Sequence, residues 1–158
     1  DSLAVGHSET PGLSRMTFTV DAATTDVEQV VKQVDKLIDV VRIRDITDQE
    51  HLSRELAMIK VAATAQTRGE IIQIVDVFRA SIIDLATDAL VIEVSGDEDK
   101  VDSLIEVLKP YGIRELARTG RISMVRGTAG VTISEMDEEQ LELPHYRGNR
   151  AAIGTTSY

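Results

Sequence analysis

The order of hydrophobic patterns between residues 54 and 118 is the feature that most constrains the fold of this chain. Alternating apolar residues predict four strands, at 54–63, 81–86, 89–95 and 113–118. Apolar residues at helical spacing predict one helix at 68–79 and another centred on Leu104. The resulting order, β-α-β-β-α-β, is that of the ferredoxin-like unit. We therefore predict an α+β fold for this half of the chain.

The first 46 residues give a shortened version of the same pattern. Strands are predicted at 2–8 and 14–20, as a hairpin, and again at 40–46. Between them, one apolar stripe predicts a helix with the inward residues Val27, Val30, Val31, Val34, Leu37 and Ile38. The order β-β-α-β is a ferredoxin-like unit without its first strand and first helix. The polar segment 47–53 is interpreted as the linker between two such sandwiches.

Each predicted helix is preceded by a capping-box pattern, in which a Ser or Thr is followed three residues later by Glu. The three pairs are Thr25 with Glu28, Thr67 with Glu70, and Ser95 with Glu98. Pro110 and Gly112 are expected to end the third helix. The coincidence of a cap pattern with each apolar stripe favours three helices.

Charge and composition exclude several classes of function. The formal net charge is −10, which opposes binding to nucleic acid or to an anionic membrane surface. The chain has no cysteine, so it has no disulfide framework and no thiolate ligand or nucleophile. It contains no apolar run of the roughly 18 residues that a membrane span requires.

The two ends of the sequence carry expectations of their own. The chain begins with Asp1 and no signal-like segment follows, so we expect a trimmed product or a fragment. Residues 128–158 are poor in apolar residues and contain an acidic run. We expect this tail to be disordered or docked on a partner rather than to form a third domain.

No motif indicates catalysis or metal binding. His7, His51 and His145 are far apart in sequence, and none has the spacing of a zinc motif. Glycine-rich phosphate loops and the G-x-S-x-G elbow of serine hydrolases are absent. We therefore predict no catalytic residue, no metal site and no cofactor bound by this chain.

The hairpin at residues 7–18 is the one segment with a possible binding role. Met16, Phe18 and Val20 are predicted to face the core, which places Arg15 on the other face. There its guanidinium could bind a carboxylate or carbonyl of a partner. An ordinary hairpin is the alternative interpretation.

Several blocks of sequence stand out along the chain. They are DSLAVG with TPGLSRMTFTV in 1–20, QVVKQVDKLIDV at 29–40, RELAMIKV at 54–61, FRASIID at 78–84 and ARTGRISMVRG at 117–127. Together they resemble the small regulatory subunit of acetolactate synthase, also called acetohydroxyacid synthase. The blocks occur in order and cover about residues 1–127, which makes the resemblance far more specific than one motif.

The resemblance implies an ACT domain at 1–46 and a second ferredoxin-like domain at 54–127. It also implies a large catalytic subunit as partner, which carries thiamine diphosphate, magnesium and FAD. That subunit condenses pyruvate with pyruvate or 2-oxobutyrate on the route to branched-chain amino acids. The small subunit of such enzymes is non-catalytic, pairs through its ACT domains, activates the large subunit and makes it sensitive to valine. The implied location is the cytoplasm, or the plastid stroma in a plant or alga.

The resemblance also indicates which residues to examine. The family's effector lies between paired ACT domains, and by position only Asp1, Ser2 and Leu3 of this chain reach the edge of that pocket. Ser14, Arg15 and Met16 are the expected contacts with the catalytic subunit. With its first strand and helix missing, the chain is expected to bind weakly and respond little to valine. The expectation reverses if those elements precede Asp1 in the native protein.

Three other readings stay open. The chain could be a stand-alone ACT-type amino-acid sensor that regulates a different enzyme. It could also be a small enzyme on a ferredoxin-like scaffold, because a fold does not fix a function. The third alternative is a structural assembly module.

Overall fold

The computed structural model describes residues 2–21 and 23–127. They fall into two compact units. The N-terminal unit comprises Val5–Leu52 and the described residues from Ser123 onward, and the C-terminal unit comprises Ser2–Ala4 and Ser53–Ile122. Asp1 and the predicted tail at 128–158 lie outside the described residues.

The first three elements form a hairpin followed by a helix. They are β1 (Ser2–His7), β2 (Ser14–Thr19) and α1 (Val27–Val34). β1 and β2 make a two-stranded sheet, which confirms the predicted hairpin. None of the residues of α1 is buried.

The next six helices and strands follow the predicted β-α-β-β-α-β order, and a further strand comes after them. They are β3 (His51–Ala62), α2 (Arg68–Val77), β4 (Ser81–Leu85), β5 (Ala89–Gly96), α3 (Glu98–Leu108), β6 (Ile113–Arg118) and β7 (Ile122–Val125). The sheet order is β4-β5-β3-β6, and β7 also pairs with β3. A 3-10 turn at Lys109–Tyr111 and Gly112, with φ of 93°, end α3 as predicted.

A strict alternation along the central strands creates the core. Ile59 of β3 lies opposite Ile92 of β5, and Ala57 lies opposite Val94. These inward residues pack against α2 and α3, which cover one face of the sheet. The largest fully buried side chains are Ile59, Ile71, Leu90, Ile92, Leu104, Leu108, Val61, Val94 and Val101. All of them belong to the C-terminal unit, which therefore buries a core of its own.

The predicted capping boxes are wrong in detail, although the three helices form. Asp26 caps α1 by accepting a hydrogen bond from the Gln29 N–H at 3.2 Å. Asp97 caps α3 in the same way, from the Lys100 N–H at 3.0 Å. Thr67 precedes α2 without capping it through its side chain. A carboxylate at these positions satisfies a free N–H and also interacts favourably with the helix dipole.

The strand predicted at 40–46 is also wrong. α1 ends at Val34, and none of the residues 41–46 is in a strand. A strand requires a neighbour for its backbone groups, and the hairpin sheet described in this unit holds only β1 and β2. Residues 51–53, predicted as part of the linker, belong to β3 instead.

Candidate functional site

The start of β1, predicted to reach the effector pocket, packs on the turn between β6 and β7. The backbone N–H of Arg121 donates a hydrogen bond to Ser2 Oγ at 3.4 Å. The carbonyl oxygen of Leu3 lies so close to Gly120 that a Cβ there would be only 2.1 Å from it. Glycine is therefore the residue that permits this approach. Asp1, the third predicted residue, lies outside the described part of the chain.

Arg121 links this turn to the first residue of α3. Its Nη1 lies 2.7 Å from Oε2 of Glu98. Sequence reasoning missed Gly120 and Arg121 as neighbours of Ser2 and Leu3. The available signal was a glycine just after the strand predicted at 113–118, since a glycine beside a strand often marks a close backbone approach.

The C-terminal unit contains one buried carboxylate among its described residues, that of Glu55 on β3. The side chain of Glu55 is only 5% exposed and accepts a hydrogen bond from Arg118. Arg118 also donates to Asp102 of α3 at 2.7 Å. Burial alone would lower the pKa of Arg118, but the hydrogen bonds and charges of Glu55 and Asp102 outweigh it and raise that pKa. The cluster ties β3, β6 and α3 together.

The sequence did contain a signal for this cluster. Glu55 shares the inward register of β3 with Ala57 and Ile59. A charged residue at an inward position needs a buried partner, because an unpaired charge is expensive to desolvate.

The residues expected to contact the catalytic subunit are arranged differently from the prediction. Nη2 of Arg15 donates to the backbone carbonyl of Ser123 at 3.1 Å, within the N-terminal unit. One of its two terminal nitrogens is therefore engaged within the N-terminal unit, and the side chain is partly exposed. Met16, predicted to face the core, is 56% exposed, and Ser14 is also exposed.

The hairpin does not bring the predicted effector-pocket residues and the predicted catalytic-subunit contacts together. Ser2 and Leu3 begin β1, whereas Ser14, Arg15 and Met16 begin β2, and the two strands are neighbours joined by a short turn. Antiparallel pairing places the two sets at opposite ends of the hairpin.

The histidines lie apart in the described part of the chain. His7 ends β1, and His51 begins β3 with its Nδ1 2.8 Å from the carbonyl oxygen of Gln49. His145 lies outside the described residues. Over residues 2–21 and 23–127, no group of three or more His, Asp or Glu side chains could hold a metal ion. Within the same ranges, no helix combines the length and apolarity needed to cross a bilayer.

Two family models match the chain in succession. Residues 1–42 match the ACT domain of the acetohydroxyacid synthase small subunit, and residues 54–127 match the small subunit of acetolactate synthase. The two matches correspond to the hairpin with α1 and to the β-α-β-β-α-β unit.

Individual proteins agree with the family models. The acetolactate synthase small subunit of Bacillus subtilis is 50% identical over 129 residues, which cover 81% of this chain and 75% of that protein. A probable acetolactate synthase small subunit of Archaeoglobus fulgidus is 48% identical over 127 residues, or 80% of this chain and 79% of that protein. The crystal structure of the small subunit from Thermotoga maritima superposes with a TM-score of 0.67 at 38% identity, covering 81% of this chain and 80% of that one. This chain belongs to the family of acetolactate synthase small subunits.

Proposed function

We propose that the chain is a regulatory subunit of acetolactate synthase, which activates a thiamine-diphosphate catalytic subunit and makes it sensitive to valine. The observation that carries the proposal is the match of both family models, in order, at 1–42 and 54–127. The thiamine diphosphate, magnesium and FAD belong to the catalytic subunit in this proposal, and this chain binds none of them. The holoenzyme would act in the cytoplasm.

The distribution of apolar surface supports a binding role for the N-terminal unit. The stripe of α1 is only half-buried, and Leu37 just beyond the helix is 57% exposed. Val5 and Met16 on the hairpin are also more than half exposed. Full burial of such a side chain contributes roughly 1.5–3 kcal/mol. Contact with further polypeptide would therefore stabilise this unit, and we assign that contact to the catalytic subunit and to a second copy of the ACT domain.

The start of β1 supports a place for the effector. Valine presents an apolar side chain beside a charged ammonium and carboxylate. Leu3 offers an exposed apolar side chain, and Ser2 beside it offers a hydroxyl. We propose that these two residues, with Asp1, form the edge of the valine site, and that Ser14, Arg15 and Met16 contact the catalytic subunit.

A reconstitution assay tests both halves of the proposal. The catalytic subunit is assayed for acetolactate formation from pyruvate, with and without this chain, across a range of valine concentrations. We expect the chain to raise the rate and valine to reduce that gain, and both effects to be small when the strand and helix expected before Asp1 are left out of the assayed protein. Leu3→Ser should weaken the response to valine and keep activation, whereas Met16→Glu should weaken activation itself.

Three outcomes would separate the alternatives. No change in rate on adding the chain contradicts the proposed partner. Activation without any response to valine contradicts the proposed effector. Valine binding by the isolated chain, with no effect on the catalytic subunit, would favour a stand-alone ACT-type sensor.

A further inference from the structure

The turn between β6 and β7 supports the start of β1 within the C-terminal unit. A Cβ on Gly120 would lie 2.1 Å from the carbonyl oxygen of Leu3 and 2.8 Å from the backbone nitrogen of Ala4. The peptide bond between Leu3 and Ala4 therefore lies closer to this turn than any side chain at Gly120 would allow. Beside it, the Arg121 N–H donates to Ser2 Oγ at 3.4 Å. These three residues of β1 belong to the C-terminal unit.

The same turn is fixed to the centre of the sheet. The backbone N–H of Thr119 donates to the carbonyl of Leu56 at 2.9 Å, and the Leu56 N–H donates to Thr119 Oγ1 at 3.0 Å. Leu56 lies in β3, which has β5 on one side and β6 on the other. The two hydrogen bonds therefore hold the turn in register with the central strand.

Two arginines, one on each side of the turn, connect it to α3. Arg118 donates to Asp102 at 2.7 Å, and Nη1 of Arg121 lies 2.7 Å from Oε2 of Glu98. The two carboxylates are four positions apart, so both lie on one face of α3. The Arg121 side chain is only 28% exposed, so solvent screens its ion pair in part. A displacement of α3 would therefore displace the turn that supports the start of β1.

We propose that Arg121 is a positioning residue for the effector site and acts through Ser2 and Leu3 at the edge of that site. The inference rests on the proposed function, because that function places valine beside these two residues. Arg121 makes no contact with valine in this role. Its ion pair with Glu98 fixes the turn, and the turn fixes the backbone at the start of β1. The response to valine should therefore depend on a side chain that pairs with α3.

One variant isolates the link between the turn and α3. Arg121→Ala removes the ion pair with Glu98 and keeps the backbone N–H that Ser2 accepts. Arg114→Ala is the matched control, because it breaks another ion pair, with Asp88, near the opposite end of β6. An ion pair that served stability alone would change the unfolding of the protein and leave the response to valine as it is.

A valine titration of the reconstituted holoenzyme tests the proposal, with a chain that includes whatever precedes Asp1 in the native protein. In Arg121→Ala, the valine concentration for half-maximal inhibition should rise about two- to fivefold. Activation without valine should change by a smaller factor. Arg121→Lys should respond like the native protein, because a lysine can replace the single contact with Glu98. Arg114→Ala should also respond like the native protein.

Exchange of the two charges gives a second test of the same link. Arg121→Glu and Glu98→Arg should each raise the valine concentration for half-maximal inhibition, and the double variant should bring it back toward the native value. Hydrogen exchange at the first amides of β1, measured without valine or catalytic subunit, should accelerate in Arg121→Ala. The control Arg114→Ala should leave that exchange unchanged.

Failure of this inference can be told from failure of the proposed function. A native holoenzyme that responds to valine, with the same half-maximal concentration in Arg121→Ala, overturns the inference and leaves the proposed function intact. Equal hydrogen exchange at the start of β1 in Arg121→Ala and Arg114→Ala also overturns it. A native holoenzyme that does not respond to valine contradicts the proposed function, and the inference is then wrong as well.

Discussion

The helices α1 and α3 are alike in local structure and differ in what lies behind them. Each is amphipathic and is capped by an aspartate that accepts a backbone N–H. α3 buries Val101, Leu104, Ile105 and Leu108, whereas α1 buries no residue. Local sequence therefore determines where a helix starts, while burial of its apolar face depends on the sheet available to it.

The two units therefore differ in how they are stabilised. The C-terminal unit packs two helices on its sheet and closes its own core. The N-terminal unit combines one short helix with a two-stranded sheet, an arrangement with little stability by itself. We therefore expect the N-terminal unit to gain more stability from contact with a partner than the C-terminal unit does.

Replacing one leucine by alanine in each unit should give the largest difference in the free energy of unfolding. Leu104→Ala removes a fully buried side chain and should lower the free energy of unfolding by about 3–4 kcal/mol. Leu37→Ala, at an exposed position, should lower it by less than about 1 kcal/mol. Urea denaturation of the isolated chain measures both. Equal losses would show that the N-terminal unit has a core of its own.

Breaking the buried ion pair between Glu55 and Arg118 should have the next largest effect on stability. Arg118→Ala leaves Glu55 buried without its partner, which should destabilise the C-terminal unit by about 3 kcal/mol. Arg114→Ala breaks an exposed pair with Asp88, which solvent screens, and should change stability far less. Thermal unfolding of the two variants gives the comparison, and similar losses would contradict the role assigned to Glu55.

The close approach at Gly120 predicts a smaller and local effect. Gly120→Ala places a Cβ against the carbonyl of Leu3 and should destabilise the packing of residues 2–4 by about 1–2 kcal/mol. Hydrogen exchange at the first amides of β1 should accelerate. Gly6→Ala is the matched control, since its Cβ would meet no atom within 4 Å. Equal exchange in both variants would argue against this contact.

Lowering the pH should have the smallest effect on stability. Hydrogen bonds and charge from Arg114 lower the pKa of Asp88 below its ordinary 3.8, and Lys60 likewise lowers the pKa of Glu115 below 4.5. At acid pH the unfolded chain therefore binds more protons than the folded chain. The stability that comes from these two ion pairs is complete above the ordinary pKa values and is lost as the pH falls through the lower pKa values of the folded chain. Thermal midpoints should fall less steeply on acidification in Arg114→Ala than in the native chain. An identical acid slope would show that the pair contributes nothing.

The sequence predicts the elements of the C-terminal unit well because both periodicities are strong there. The alternation through Ile59 and Val61 indicates a strand, as observed for β3. The apolar stripe of α3 indicates a helix with one buried face, as observed. The predicted strand at 40–46 failed because alternation alone does not supply a neighbouring strand. The capping boxes failed because Asp26 and Asp97 lie closer to the first helical turn than Thr25 and Ser95.

The site was less predictable than the fold. Gly120 and Arg121 reach Ser2 and Leu3 only through folding, since the two segments are more than a hundred residues apart. The contact of Arg15 with the carbonyl of Ser123 was equally hidden, because its acceptor is just as remote in sequence, while the role of Arg15 toward a partner stays a prediction. The strand and helix expected before Asp1 concern residues outside this sequence and stay a prediction.

Hydrogen exchange with and without the catalytic subunit tests the central claim most directly. In the isolated chain, the amides of α1 (Val27–Val34) should exchange quickly, while those of β3 and β5 exchange slowly. Adding the catalytic subunit should slow exchange in α1 and in the hairpin β1–β2. Binding of that subunit with unchanged exchange throughout the N-terminal unit would contradict the account.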